Sequence, residues 1–181
     1  MLTIIVPESE SYNEATNEFM YTKETVLRLE HSLVSISKWE SKWKIPFLGR
    51  EQKTREQILD YVKCMTTTQN VPESVYLSLS AENWDEIGKY IEDSKTATWF
   101  QDRTNRPTSE IVTSELIYYW MTAYNIPFEC QKWHLNRLLT LIKICSIKNQ
   151  SKESKKMSRS AIMKQNSALN KARRARTGSK G

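Results

Sequence analysis

"HSLVSISKWESKWKIPFLGREQKTREQILDYVKCM", residues 31–65, decides the fold class. It holds two helical runs separated by a proline break. Ser32 can cap the first. Leu33, Ile36, Trp39 or Glu40, and Trp43 then recur at spacings of three and four, the period of one helix face. Pro46 ends the run, because the residue before a proline avoids helical backbone, and Gly49 sits in the loop that follows. Thr54 with Gln57 three residues later is a capping-box pattern, which predicts a helix over 54–65 with Ile58, Leu59, Val62 and Met65 on its apolar face. Nothing in the stretch is reactive. So much pattern without a reactive side chain suits a protein that binds and assembles.

Upstream the period is two rather than 3.6. "LTIIV" (2–6) is a β-branched run stopped by Pro7. "SESYNEATNE" (9–18) is polar and turn-like. "FMYT" and "TVLRLEH" read as strands, with Val26, Arg28 and Glu30 alternating against Leu27, Leu29 and His31. A turn at Thr22–Glu24 would join them. Two or three short antiparallel strands are marginal alone, so this sheet must lie on helices.

Downstream, "TTTQNVPES" is a loop and "SVYLSLS" a short helix opened by Pro72. Ser80 caps a helix to about 93, with Trp84, Ile87 and Ile91 inward. "TATWFQDRTNRPTS" is polar, with Trp99 and Phe100 tucking back. A helix over 109–124 points Val112, Leu116, Tyr119/Trp120 and Ala123 inward. "NIPFE" breaks it. The last helix of the body, 129–146, is apolar over more than half its circumference, which places it centrally. "KNQSKESKKMS" then lacks periodicity and reads as a linker. "SRSAIMKQNSALNKARRAR" can be helical from Ser158 or Ser160, but so little apolar surface leaves it marginal in water alone.

Charge divides the 181 residues the same way. Residues 148–181 hold eleven Lys/Arg and one acid, Glu153, a net +10; the remaining sixteen bases and twenty acids give residues 1–147 a net −4. Such asymmetry marks an interaction tail. The expected architecture is mainly helical, α+β. Residues 1–147 form a helical globular domain with an N-terminal β-hairpin, and 148–181 a basic linker and C-terminal helical tail.

The chemistry-bearing residues are few. Cys64, Cys130 and Cys145 form no CxxC pair, so they read as reduced, packed thiols. His31 and His134 lack a metal-ligand partner at i+3 or i+4, and no HExxH, GxSxG or phosphate-cradling glycine loop is present. No enzyme, metal site or cofactor is expected. No run of ~18 apolar residues suggests a membrane span, and MLTIIVPESE has no basic region of the kind a signal peptide carries. The six tryptophans are read in two ways. They pack a core, or some line a groove for an apolar segment of another protein, since Trp is favoured as an anchor. Trp39 and Trp43 share a helical face. Clustered arginines without aromatics bind phosphate with little sequence reading. An acidic protein surface, including the body of a neighbouring copy, suits "KARRAR" equally well. Candidate protein-binding residues are Trp39, Trp43, Trp99 and Phe100 in the body and Arg173, Arg174 and Arg176 in the tail.

"LEHSLVSISKWESKWKIPFLG", "ILDYVKCMT", "TATWF", "ELIYYWMTAYNIPFECQKWHLNRLLTLIKICSIKN" and the ending "MSRS…LNKARRARTGSKG" together resemble the tail assembly chaperones of long-tailed bacteriophages. The resemblance covers nearly the whole chain. It implies a protein of the host cytoplasm that coats the tape-measure protein, keeps its apolar segments in solution, and helps recruit tail tube subunits before leaving. It implies protein partners and possible self-association, with nucleic acid and membrane not expected. The alternative is a virion structural protein, a minor tail or connector component with a basic interaction tail.

Overall fold

In the computed structural model, which describes residues 1–13, 17–100, 111–156 and 159–178, the chain is mainly helical with a small amount of antiparallel sheet. Strand β1 (Leu2–Val6) pairs with β4 (Thr25–Leu29), and β2 (Ser9–Asn13) with β3 (Glu18–Thr22). Partner numbers sum to 31 throughout, from Leu2↔Leu29 and Val6↔Thr25 to Ser9↔Thr22 and Asn13↔Glu18. The two short sheets are therefore one hairpin ribbon in a single register, interrupted at Pro7–Glu8 and Lys23–Glu24. Two expectations change. Residues 9–13, read as turn-like, are a strand, and no turn at Thr22–Glu24 joins β3 to β4, which do not pair with each other. The apolar pairing of β1 with β4 sets the register, and residues 9–13 continue it against β3 although their own sequence has no strand signal. Ile4, Val6, Leu27 and Leu29 face inward by the period-two rule, with His31 beyond them.

Helix α1 (Leu33–Trp43) starts on a reciprocal cap: the Ser35 amide donates to Ser32 Oγ at 3.3 Å and the Ser32 amide to Ser35 Oγ at 3.0 Å. It ends at Trp43; Lys44, two residues before Pro46, caps it with a φ of 57° and an amide that donates to the Glu40 carbonyl. Helix α2 (Arg55–Met65) has the expected Thr54–Gln57 box. Its inward face differs from the expected one. Val62 and Met65 are buried, but Ile58 is 44% exposed, and Gln57, Asp60 and Tyr61 are buried instead. Polar burial is tolerated there because it is matched. The Trp39 indole N–H donates to the Gln57 carbonyl at 2.8 Å, and Asp60 accepts from Lys42 and, at 2.9 Å, from Trp43.

A short α3 (Glu73–Leu77) follows Pro72, and α4 (Ala81–Glu92) starts on a Ser80–Asn83 box. The Asn83 amide also donates to the Ile5 carbonyl at 3.1 Å, tying α4 to β1. Of the residues expected inward on α4, Ile87 is buried and Trp84 and Ile91 are half-buried. Helix α5 (Ser114–Ala123) is shorter than expected. Thr113 caps it by accepting from the Leu116 amide, and residues 111–113 are not helical; positions 109 and 110 lie outside the described residues. Its buried stripe is Ser114, Ile117 and Met121, about one residue out of step with the expected one, and Tyr119 is exposed.

The last helix of the body does not begin at 129. A 3-10 turn occupies Phe128–Lys132, Trp133 is extended, and α6 (Leu135–Lys156) starts after His134. The break serves a pairing: Ser32 and His134 form a bridge, and the Leu135 amide donates to the His31 carbonyl at 2.8 Å. Beside it, the Glu30 amide donates to the Met65 carbonyl and the Thr67 amide to the Arg28 carbonyl. Helix α6 buries Leu135, Leu138 and Ile142, a narrower stripe than expected. It runs unbroken to Lys156, so residues 148–156 of the stretch read as a linker are helical, and 157 and 158 lie outside the described residues. A final helix, α7, spans Arg159–Thr177; Ser158, a candidate cap, lies outside the described residues. The chain divides into two compact units, Met1–Ile142 and Lys143–Gly181.

Glu40 stands out among the buried polar groups. One carboxylate oxygen accepts from the Phe47 amide at 2.7 Å and the other from the Ser114 amide at 2.8 Å, at the start of α5. The carboxylate thus meets the positive end of that helix. Glu40→Ala strands both donors and should cost about 3 kcal/mol in a urea titration; a loss under ~0.5 kcal/mol would mean α5 does not need the anchor. Leu138→Ala, at a site with no exposed surface, should cost ~2–5 kcal/mol by the same measurement, and a near-zero change would show that α6 is peripheral to the core.

Candidate functional site

The expected binding residues of the first unit do not share one surface. Trp39 is 0% exposed and Trp99 is 79% exposed. Trp39 therefore cannot anchor a partner. Its ring is packed edge-on against Phe47 at 5.2 Å and tilted against Trp43 at 6.3 Å. Trp43 is half-buried and held by its bond to Asp60. Trp99 does not tuck back, although Phe100 is half-buried. Arg173, Arg174 and Arg176 are exposed on α7. The aromatic pattern of α1 is thus core, and the surface candidates are Trp99 in the first unit and the arginines in the second.

Sequence reading did not mark the largest exposed aromatics of the ribbon. Phe19 is 73% and Tyr21 is 59% exposed on β3. Tyr21 donates to Glu8 at 2.9 Å, which keeps the ring lying across the ribbon, and that bond raises its phenol pKa. On the same ribbon Ile5 and Val26 are exposed and directly opposite each other. The signal was available. In β3 and β4 apolar residues occupy both faces, and a two-stranded ribbon can cover only one of them.

Beneath α1 lies a second cluster that spacing could not reveal, because its members come from four elements. His31 and His134 are both buried, with ring centroids 5.1 Å apart. His31 Nδ1 meets the Tyr61 hydroxyl at 2.5 Å, and that ring stands edge-on to it. The Ser35 hydroxyl donates to the Ser32 carbonyl and lies 3.4 Å from the Tyr61 hydroxyl. His134 Nε2 lies 2.9 Å from the Tyr90 carbonyl. A carbonyl only accepts, so Nε2 carries the proton, and the opposite nitrogen, Nδ1, has no partner among the described residues. The Tyr90 hydroxyl donates to Glu30 at 2.6 Å.

Burial and, second, the neighbouring His134 lower the His31 pKa from 6.5 to about 4. Burial drives the Tyr61 phenol far up, and burial with the Glu30 bond does the same for Tyr90. At neutral pH His31, Tyr61 and Tyr90 are uncharged, and the cluster is joined by ring packing and hydrogen bonds. Among the described residues, no three His, Cys, Asp or Glu side chains come together to hold a metal ion, and no helix is long and apolar enough to cross a membrane.

The His31 shift has a readable consequence. The unfolded chain protonates His31 near pH 6.5 and the folded chain near pH 4. Below pH 6.5 the unfolded state takes up the proton first, so this contribution is present above that pH and is lost as pH falls toward 4. Its full size is roughly 3 kcal/mol. Urea midpoints should drop steeply between pH 6.5 and 4.5 and flatten in His31→Gln; an unchanged slope in the variant would assign the acid sensitivity elsewhere.

No family model, no curated protein and no solved structure matches this chain, so the roles of its residues are argued from their own geometry.

Proposed function

We propose that this protein is a bacteriophage tail assembly chaperone that binds the tape-measure protein in the host cytoplasm and keeps it soluble until tail tube subunits assemble. The observation that carries the reading is the set of uncovered aromatics, Phe19 and Tyr21 on the ribbon and Trp99 in an irregular segment. Large rings held in water on ordered backbone supply contact area at low entropic cost to a partner's apolar segment. The segments quoted above, from "LEHSLVSISKWESKWKIPFLG" to "LNKARRARTGSKG", supply the family. A holding protein needs no chemistry, only a surface that competes with the aggregation of its client and lets go when tube subunits arrive. The exposed arginines of α7 would add reach toward acidic stretches of the same client or of the tail tube protein.

Co-expression with the tape-measure protein of the same phage tests this. Wild-type chain should keep the client in the soluble fraction. Phe19→Ser/Tyr21→Ser/Trp99→Ser, with melting temperature unchanged, should release most of it to the pellet, at least a fivefold loss of soluble client. Purified virions should lack the chain. Its presence there at fixed stoichiometry would overturn the chaperone reading in favour of a structural tail component.

A further inference from the structure

Among the described residues, strand β1 pairs on one side only, with β4. Its other edge borders a groove of about 450 Å³ whose far wall is α4. The bond from Asn83 to the Ile5 carbonyl shows that Ile5, and by the alternation of an antiparallel strand Thr3, turn their backbone groups toward this groove. The strand wall is partly apolar, with Ile5 exposed. The helix wall is acidic. Within Ala81–Glu92 there are four acids, Glu82, Asp85, Glu86 and Glu92, against one base, Lys89, a net −3. Lys89 is taken by Asp85 at 2.6 Å. Glu82 and Glu86, which line the groove one turn apart, form no ion pair among the described residues.

The second unit offers the complement. Helix α7 carries six Lys/Arg and no acid over Arg159–Thr177. At ~100° per residue, Ile162, Leu169, Arg173 and Arg176 fall within about 60° of one another. One face is thus apolar in its first half and cationic in its second, and all four side chains are exposed. Arg173 and Arg176 are ~4.5 Å apart along the axis, and Glu82 and Glu86 ~6 Å. Two guanidinium groups can therefore meet two carboxylates while Leu169 reaches the apolar strand wall.

We propose that the groove between β1 and α4 is a self-association site that receives helix α7 of a second copy of this chain, with Arg173 and Arg176 on Glu82 and Glu86 and Leu169 against Ile5. The −4 body and the +10 tail attract at a distance, and the groove fixes where the tail lands. Exposed ion pairs are weak singly and screened by salt, so the association is salt-sensitive and the apolar contact gives it register. Each copy carries one groove and one helix. Reciprocal exchange closes a dimer, whereas one-way insertion builds a chain.

Sedimentation velocity on the nuclease-treated full chain, from 1 to 100 µM, decides this. At 50 mM salt a species heavier than the 21.3 kDa monomer should appear, and 500 mM salt should weaken it at least tenfold. Glu82→Lys/Glu86→Lys should each way weaken association tenfold or more, as should Arg173→Glu/Arg176→Glu. Both pairs lie on exposed positions, so the melting temperature should hold. An equimolar mixture of the two charge-reversed proteins should restore the heavier species. A chain that stays monomeric throughout at 50 mM salt overturns the proposal, since the helix is then in its own groove or in none. Association that survives Glu82→Lys/Glu86→Lys unchanged overturns it too, by placing the contact elsewhere.

Discussion

Five consecutive residues, Arg28 to Ser32, fix the arrangement of the first unit. This is where strand turns into helix. On one edge Arg28 and Leu29 are paired to β1. On the other, Arg28 and Glu30 bond to the chain leaving α2, and His31 and Ser32 to the chain entering α6. Ser32 then caps α1. A backbone amide has one donor and one acceptor, and a buried one left unpaired is costly. Here those obligations are met by segments from four parts of the sequence, so no one of them can shift without stranding the others. The side chains repeat the theme: His31 sits between Tyr61 of α2 and His134 at the start of α6, and the hydroxyl of Tyr90 from α4 reaches Glu30.

Local signals were the legible part of this fold. Ser32, Thr54 and Ser80 cap their helices as their spacing indicates, because a cap is decided within four residues. The alternation over 26–31 also held, since period two is a property of the strand itself. What failed depended on partners. Asp60 is inward and Ile58 outward because Lys42 and Trp43 on another helix supply hydrogen bonds to the Asp60 carboxylate. Hydrophobicity alone ranks these positions the other way. Residues 9–13 form a strand because of a register set elsewhere, and α6 starts at Leu135 because His134 is needed in a pairing.

The candidate surfaces show the same limit. Composition counts Trp39 and Trp99 alike, yet one has no surface and the other is almost wholly in water. The two histidines show no ligand spacing in the sequence, and their contact crosses the first unit. Glu82 and Glu86 are exposed acids of α4. Their interest comes from the strand edge opposite, which only the pairing of β1 reveals. The separation of a basic segment from an acidic body, by contrast, was written in the charges.

The bond from Leu135 to His31 joins residues more than a hundred positions apart. During synthesis the ribbon and the first two helices emerge early and can find their local partners. The seam at His31 stays open until the chain has been made through the start of α6 and that segment has cleared the ribosome. Contacts of such long sequence separation close late, after the entropy of the intervening loop has been overcome. Until then the His31 carbonyl lacks its donor and the His31 ring lacks His134 beside it. The protein must therefore pass through a nascent state that is itself in need of protection from aggregation.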